Sequence, residues 1–199
     1  MNDTPLFRSI DDALRFAFDP QRSGQCERPA ASRMSDKRLG TPGALSGLDG
    51  AAQAGMIRKS LSRLPYVQQS LLVARYAPSS IKCECKHECC RGWTPNPEWQ
   101  ASVRLVADCV TKEALDGCTV DRQLLLGILA KLYGKKISVI LVAEEQGVSS
   151  GTASNHTAKV KRWLLGERTA RAGEGPKKGE QNLAIEMANR LLGSLIELT

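Results

Sequence analysis

Apolar residues recur through most of the chain at intervals of three and four, the spacing that places side chains on one face of an α-helix. The clearest stripe follows Asn96, a favoured capping residue that precedes a proline and an acid in the first helical turn. Its members are Trp99, Val103, Val106, Ala107, Val110 and Ala114. A further stripe, which ends at Gly134, consists of Leu125, Ile128, Leu129 and Leu132. We predict a helix in each place, with the stripe facing the core.

Other segments carry the same spacing. Ser9 caps a predicted short helix with Ile10, Leu14, Ala17 and Phe18, and Asp19-Pro20 ends it. Residues 48–64 and 65–76 are predicted to form a helical hairpin that Ala77-Pro78 ends. The last predicted helix presents Leu183, Met187, Leu191, Leu195 and Leu198. Because no segment shows sustained alternation of apolar and polar residues, the predicted fold class is all-α, a helical bundle.

Composition divides these helices into regions. Residues 21–43 are rich in Gly, Pro, Ser, Arg and Ala with almost no large apolar residue, which predicts a flexible linker that leaves the first helix (residues 1–20) free to dock on the body or on a partner. Residues 44–118 are predicted to form the helical body and residues 119–166 a helix-turn-helix domain. Residues 167–199 hold a basic linker and a final helix, which could close the core or pair with a second copy as a homodimer.

Residues 137–163 have the pattern of a helix-turn-helix. Ala143 supplies the small side chain that the crossing of two helices needs. Gly147 stands four residues later, where the turn demands a positive φ, and Val148 fills the corner. Ser149 is predicted to cap the second helix. Ala153, Val160 and Trp163 are expected to face the core, and His156 is expected to be packed rather than to bind metal.

The outer positions of this second helix are the candidate DNA contacts. Lys159, Lys161 and Arg162 are expected to bind phosphates, and the net charge of +7 is concentrated here, with seven basic and two acidic residues between positions 159 and 178. A solvated helix face is the other interpretation of this charge. The residues expected to approach the base edges or the adjacent backbone are Ser149, Ser150, Ser154 and Asn155. Only Asn155 has the amide that pairs well with adenine, so direct readout is expected to be sparse.

This segment resembles the helix-turn-helix of sigma-factor region 4 and the related module of lambdoid phage Q antitermination proteins. The resemblance covers about 45 residues and rests on three stretches within them, residues 124–133, 142–149 and 158–164. It implies a phage or prophage transcription regulator of the antiterminator type that binds double-stranded DNA and acts with RNA polymerase. The alternative is an adaptor that binds polymerase through a sigma-like fold without reading DNA. A nuclease or recombinase accessory would need a carboxylate cluster that the sequence does not supply.

A cysteine-rich loop, residues 83–92, interrupts the helical body and packs four thiols and an imidazole into eight residues. Thiolate and imidazole are ligands that suit the tetrahedral shell of Zn²⁺, so we predict a structural zinc site. Cys83 and Cys85 are the first expected ligands, followed by Cys89 and Cys90. The alternative ligands are His87, Cys109 and Cys118. Lambdoid Q proteins commonly carry a cysteine zinc element before their C-terminal part. The resemblance implies that this loop is the corresponding zinc element.

Other classes of protein find no support in the sequence. No apolar run is long enough to span a bilayer, and residues 1–5 lack the basic and apolar regions of a signal peptide, so we expect a cytoplasmic protein of a bacterial or phage-infected cell. No Walker loop, zincin helix, nucleophile elbow or paired-carboxylate motif is present. We therefore expect a protein that is not an enzyme.

Overall fold

The computed structural model describes residues 7–19, 48–83, 85, 91–167 and 177–193. In this part of the chain the structure is mostly helical, which confirms the all-α class at that level. The helices are α1 (Ile10–Phe18), α2 (Leu48–Leu61), α3 (Tyr66–Tyr76), α4 (Pro97–Glu113), α5 (Arg122–Leu132), α6 (Val139–Glu145), α7 (Ser150–Leu165) and α8 (Glu180–Leu192). The predicted linker 21–43 and the cysteines at 89 and 90 lie outside the described residues.

A small antiparallel hairpin, which the sequence pattern did not predict, stands between α3 and α4. Its strands are β1 (Ser80–Lys82) and β2 (Trp93–Pro95), with Ile81 opposite Thr94. Each strand has three residues, too few for alternation of apolar and polar residues to be recognised in a sequence. The hairpin holds the two ends of the cysteine-rich loop side by side.

The chain divides into two compact units. The first comprises Met1–Leu64 with Met187–Thr199, and the second comprises Pro65–Glu186. In the first unit α1 packs on α2. The Arg58 guanidinium joins the two helices because its Nε donates to the Ala17 carbonyl at 2.8 Å and its Cζ lies 4.9 Å from the centre of the Phe18 ring.

The core of the second unit is centred on α4. Asn96 caps this helix as predicted, since its side-chain oxygen accepts from the amide of Glu98 at 3.0 Å. The predicted stripe of α4 is buried from Trp99 to Val110, and Ala114 is half-buried. The Trp99 indole N–H donates to the Ala74 carbonyl at 2.9 Å, which ties α4 to α3. The sequence therefore predicted both the start and the inner face of this helix.

The predicted stripe of α8 is only partly buried. Leu183, Met187 and Leu191 are half-buried, and the two further leucines of the predicted stripe lie outside the described residues. The fully buried row consists of Gln181, Ala184, Ala188 and Leu192. Alanine lets a helix approach its neighbours closely, so here the small side chains face inward.

Two glycines bring the end of α7 against the start of α8. Gly166 has φ +81°, and its backbone pairs with Lys178, while Glu167 N–H donates to the Lys177 carbonyl at 3.0 Å. A Cβ at Gly179 would collide with the backbone of Leu164 and Gly166, and a Cβ at Gly166 would lie 2.6 Å from the Gly179 nitrogen. Only glycine fits at either position.

Candidate nucleic-acid interface

Helices α5, α6 and α7 pack together at the C-terminal side of the second unit. The Ala143 side chain is buried in α6, as its small size predicted. Gly127 on α5 faces Val142 on α6, and a Cβ there would lie 3.4 Å from Cγ1 of Val142, which is an ordinary van der Waals contact.

The turn between α6 and α7 has the geometry that the sequence predicted. Gly147 has φ +66°, and its N–H donates to the Glu144 carbonyl at 3.1 Å. The Val148 N–H donates to the Ala143 carbonyl at 2.8 Å. These two bonds form a Schellman motif, which satisfies the last carbonyls of α6 and turns the chain sharply toward α7.

Ser149 begins α7 as its N-cap. Its hydroxyl oxygen accepts from the Thr152 amide at 3.1 Å and lies 2.9 Å from the Thr152 hydroxyl. This side chain was also a predicted DNA contact. Because the Ser149 hydroxyl is hydrogen-bonded within the first turn of α7, its main role is to cap this helix.

The inner face of α7 consists of Ala153, His156, Val160 and Leu164, all buried. The prediction placed Trp163 in this row, and in that respect it was wrong, because Trp163 is only half-buried. Its indole N–H donates to a carboxylate oxygen of Glu113 at 3.0 Å, so the ring lies where its polar edge finds an acceptor on α4. Leu164 takes the inward place, four residues after Val160.

The outer face of α7 is exposed along its whole length. Every predicted contact on this helix lies there, namely Ser150, Ser154, Asn155, Lys159, Lys161 and Arg162, together with Gly151 and Ala158. The first half of this face is short and uncharged, and the second half carries three cations. The helix contains no acidic residue. The outer face of α7 thus combines short, uncharged side chains in its first half with positive charge in its second half.

Two of the three cations have partners within the protein. The Lys159 ammonium donates to the Cys118 sulfur at 3.2 Å. The Arg162 guanidinium forms an ion pair with Glu167 at 2.8 Å, although 62% of its side chain remains exposed. An exposed ion pair such as that of Arg162 is weak, of the order of 1 kcal/mol or less. Cysteine sulfur is a weak hydrogen-bond acceptor, so a phosphate can compete for Lys159 as well.

His156 is buried, as predicted, and its Nδ1 has no hydrogen-bond partner among the described residues. Burial lowers the pKa of this imidazole because it disfavours the charged form, and the nearby Lys159 ammonium lowers it further. The side chain is therefore held neutral inside the helical core.

The predicted zinc ligands lie partly in the described chain. Cys83 follows β1 and is half-buried, and its N–H donates to the Gly92 carbonyl at 2.8 Å, which closes the loop. Cys85 is exposed, whereas Cys89, Cys90 and His87 lie outside the described residues. The hydrogen bond between Cys83 and Gly92 brings the two ends of the loop together, which suits a metal site that is formed by thiolates of the loop. The loop alone supplies enough donors for the tetrahedral shell of zinc.

The two alternative cysteines lie in other surroundings. Cys109 lies on α4, where burial, followed by the charge of Glu113, raises the pKa of its thiol and so disfavours the thiolate that zinc requires. Cys118 accepts from Lys159, and an ammonium group so close would repel a metal cation. In the part of the chain that the structure describes, no three His, Cys, Asp or Glu side chains gather as a metal site. Zinc binding stays a prediction.

Nothing in the described helices is long and apolar enough to cross a membrane. Comparison of the chain with protein-family models, with curated proteins and with solved structures found no match. The likeness to sigma region 4 and to Q antitermination proteins therefore stays a prediction that depends on the residues quoted above. The paired helices α6 and α7 are the candidate site for function.

Proposed function

We propose that α6 and α7 are a helix-turn-helix that binds double-stranded DNA in a transcription regulator of the phage antiterminator type. One observation supports this most directly. The exposed face of α7 is short and uncharged over its first half and carries Lys159, Lys161 and Arg162 over its second. A helix of 16 residues is about 24 Å long, enough to lie along the major groove while its cations reach phosphates.

The short side chains limit how the helix reads DNA. Ser150, Gly151 and Ser154 let the helix backbone come close to the bases but offer few directional contacts. Asn155 is the residue suited to a bidentate contact with adenine. Affinity then comes mainly from phosphates, and specificity comes from DNA shape, from a second site, or from RNA polymerase bound nearby. The protein is proposed to work in the cytoplasm of a bacterial or phage-infected cell.

The cysteine-rich loop is proposed to bind one structural Zn²⁺ through Cys83, Cys85, Cys89 and Cys90. The hairpin supports this because it holds the loop ends together between Cys83 and Gly92. The metal would supply the folding energy that a polar loop of this length lacks.

The DNA-binding role can be tested with a duplex of about 30 base pairs and fluorescence anisotropy over a range of salt concentrations. Lys159→Ala with Lys161→Ala is expected to weaken binding to all duplexes alike and to reduce the slope of log K against log salt by about 2, one for each lost phosphate contact. The matched control is Lys59→Ala with Arg104→Ala, which removes two exposed cations from α2 and α4. The control is expected to change neither quantity appreciably.

Equal affinity and equal salt slope in the wild type and in the α7 variant would exclude duplex binding by α7. An equal loss of duplex affinity in the control variant would show that net charge alone determines binding. A sequence preference, measured by selection from random duplexes, should include an adenine whose enrichment disappears in Asn155→Ala.

A polymerase adaptor without DNA reading is the second candidate function. The contacts of Lys159 with Cys118 and of Arg162 with Glu167 favour it, because they engage two of the predicted phosphate ligands within the protein. A pull-down from nuclease-treated lysate, with RNA polymerase detected by antibody, distinguishes the two. An adaptor retains polymerase after the DNA is removed, and a pure DNA binder does not.

A further inference from the structure

Two nucleophilic side chains meet where α7 passes the loop between α4 and α5. The Lys159 Nζ lies 3.2 Å from the Cys118 Sγ, and both groups reach solvent, since Lys159 is exposed and Cys118 is half-buried. Both residues belong to the second unit. A thiol and an amine at this distance can act on one substrate in succession, because a group bound to the sulfur lies within reach of the nitrogen.

The fold holds both ends of this contact. The Cys118 N–H donates to the Leu115 carbonyl at 2.9 Å, and the Leu115 side chain is buried, so the loop is anchored beside the thiol. Lys159 directly precedes Val160, which lies on the buried inner face of α7. The two backbones are thus fixed relative to each other, and side-chain rotations alone change the distance between nitrogen and sulfur.

The thiol of Cys109 provides a contrast. It lies on α4, three residues before Lys112, but burial raises the pKa of this thiol and so disfavours the thiolate, which is the nucleophilic form. Of these two thiols, Cys118 is the one that contacts a lysine amine. Cys109 therefore serves as the matched control for any chemistry that needs both groups.

We propose that Cys118 and Lys159 form a modification site at which an acyl group from a thioester passes first to sulfur and then to nitrogen. In the first step the Cys118 thiolate attacks the carbonyl carbon of the thioester, the C–S bond of the donor breaks, and the donor leaves as a thiol that takes up the Cys118 proton. In the second step the neutral Lys159 amine attacks the new thioester, the bond from the carbonyl to the Cys118 sulfur breaks, and a proton moves from nitrogen to sulfur. The product is an amide on Lys159 with the Cys118 thiol regenerated, and no oxidant or reductant is consumed.

Acylation removes the positive charge of Lys159. The modification site itself depends on the contact between sulfur and nitrogen, whereas its consequence for DNA rests on the proposed function. If α7 binds duplex DNA through Lys159, the acylated chain loses one phosphate contact, and the slope of log K against log salt falls by about 1. The supply of acyl thioesters would then regulate DNA binding.

The test uses the full-length protein, incubated with acetyl-coenzyme A and then cleaved after glutamate for mass spectrometry. One fragment spans residues 146–167 and contains both Lys159 and Lys161, so the two lysines are compared in a single peptide. Both are exposed on the same helix. Lys159 is expected to be acetylated at least about tenfold faster than Lys161, because the neighbouring thiol delivers the acetyl group to it.

Two thiol variants separate this transfer from direct acetylation of the amine. Cys118→Ser is expected to bring the rate at Lys159 within about twofold of the rate at Lys161, whereas Cys109→Ser should leave the faster rate at Lys159 unchanged. An activated acetyl ester, which reacts with amines without a thiol, should acetylate the two lysines in the same ratio in the wild type and in both variants. That measurement shows whether the lysines stay accessible.

Lys159→Arg tests the intermediate. Arginine keeps the charge but does not accept the acyl group, so the acetyl group should remain on Cys118 as a thioester that hydroxylamine releases. Equal rates at Lys159 and Lys161 in the wild type would overturn the proposal, and so would a Cys118→Ser variant that is acetylated at Lys159 as fast as the wild type. Thiol-dependent acetylation that leaves duplex affinity unchanged would support the modification site and count against DNA binding through Lys159.

Discussion

The Lys159 ammonium on α7 donates a hydrogen bond to the Cys118 thiol at 3.2 Å, which joins the proposed DNA-binding helix to the loop between α4 and α5. Forty-one residues separate the two in the chain, so the contact depends on the packing of the second unit. It gives Lys159 an alternative partner when no phosphate is present. The loop between α4 and α5 therefore borders the proposed interface.

Cys118 should consequently influence DNA binding although it is not itself a predicted contact. Cys118→Asp is expected to weaken duplex binding about two- to fivefold relative to Cys118→Ser, because a carboxylate would hold Lys159 in an ion pair worth up to about 1 kcal/mol. The two affinities are measured by anisotropy at low salt. In a Lys159→Ala background the difference should shrink below twofold. Equal affinities of the Asp and Ser variants with Lys159 in place would contradict the coupling.

Gly147 and Gly151 offer the same substitution with opposite expected results. Gly147→Ala is expected to lower the free energy of unfolding by about 1 kcal/mol, since φ is +66° and an L-residue is strained there. Gly151→Ala lies in the first turn of α7 and meets nothing closer than the Ser149 hydroxyl at 4.0 Å. It should leave stability unchanged or raise it by up to about 1 kcal/mol. Urea unfolding of both variants is the measurement, and equal effects would refute the assignment of the turn.

Acid is expected to destabilise the fold through His156. Its pKa in the folded protein is lowered, so between that value and about 6.5 the unfolded chain binds a proton that the folded chain does not. Stability should thus fall as pH drops below about 6.5, by up to about 1.4 kcal/mol per pH unit. The matched variant is His156→Leu, which cannot titrate. Unfolding curves at pH 7.5 and 5.5 give the difference, and an identical loss in both proteins would count against this cause.

Zinc content tests the cysteine-rich loop. The purified protein is expected to contain about one zinc per chain by elemental analysis, and Cys83→Ser with Cys85→Ser should remove most of it. Cys118→Ser is the control and should retain the metal, because that thiol faces Lys159. Helical content is expected to persist after metal loss, since Asn96 caps α4 and Trp99 binds the Ala74 carbonyl without help from the loop. Protein without zinc, or full zinc in the double variant, would refute the site.

The sequence was informative where structure depends on neighbours in the chain. The caps at Ser9, Asn96 and Ser149 and the turn at Gly147 are local features, and each was predicted at the correct residue. The inner face of α4 was also predicted, because a long stripe of large apolar residues has one consistent direction.

The errors arose where distant residues decide the outcome. Trp163 looked like a core residue from its size, but Glu113, fifty residues earlier, accepts its indole N–H and draws the ring outward. The buried row of α8 includes alanines at 184 and 188, which a pattern of large apolar residues does not indicate. The hairpin and the contact between Lys159 and Cys118 give no signal in a single sequence, since both need partners brought together by folding.

The close approach of Gly166 and Gly179 bears on how a mutational scan of this protein should be interpreted. Both positions lie outside the apolar core and carry no side chain that could touch DNA, yet a methyl group at either would collide with the opposing backbone. Their tolerance to substitution should be among the lowest in the chain. A map of mutational sensitivity would then mark the junction of α7 and α8 as strongly as the helix that is proposed to bind DNA. Low tolerance there would reflect the fit of two backbones and not recognition of a partner.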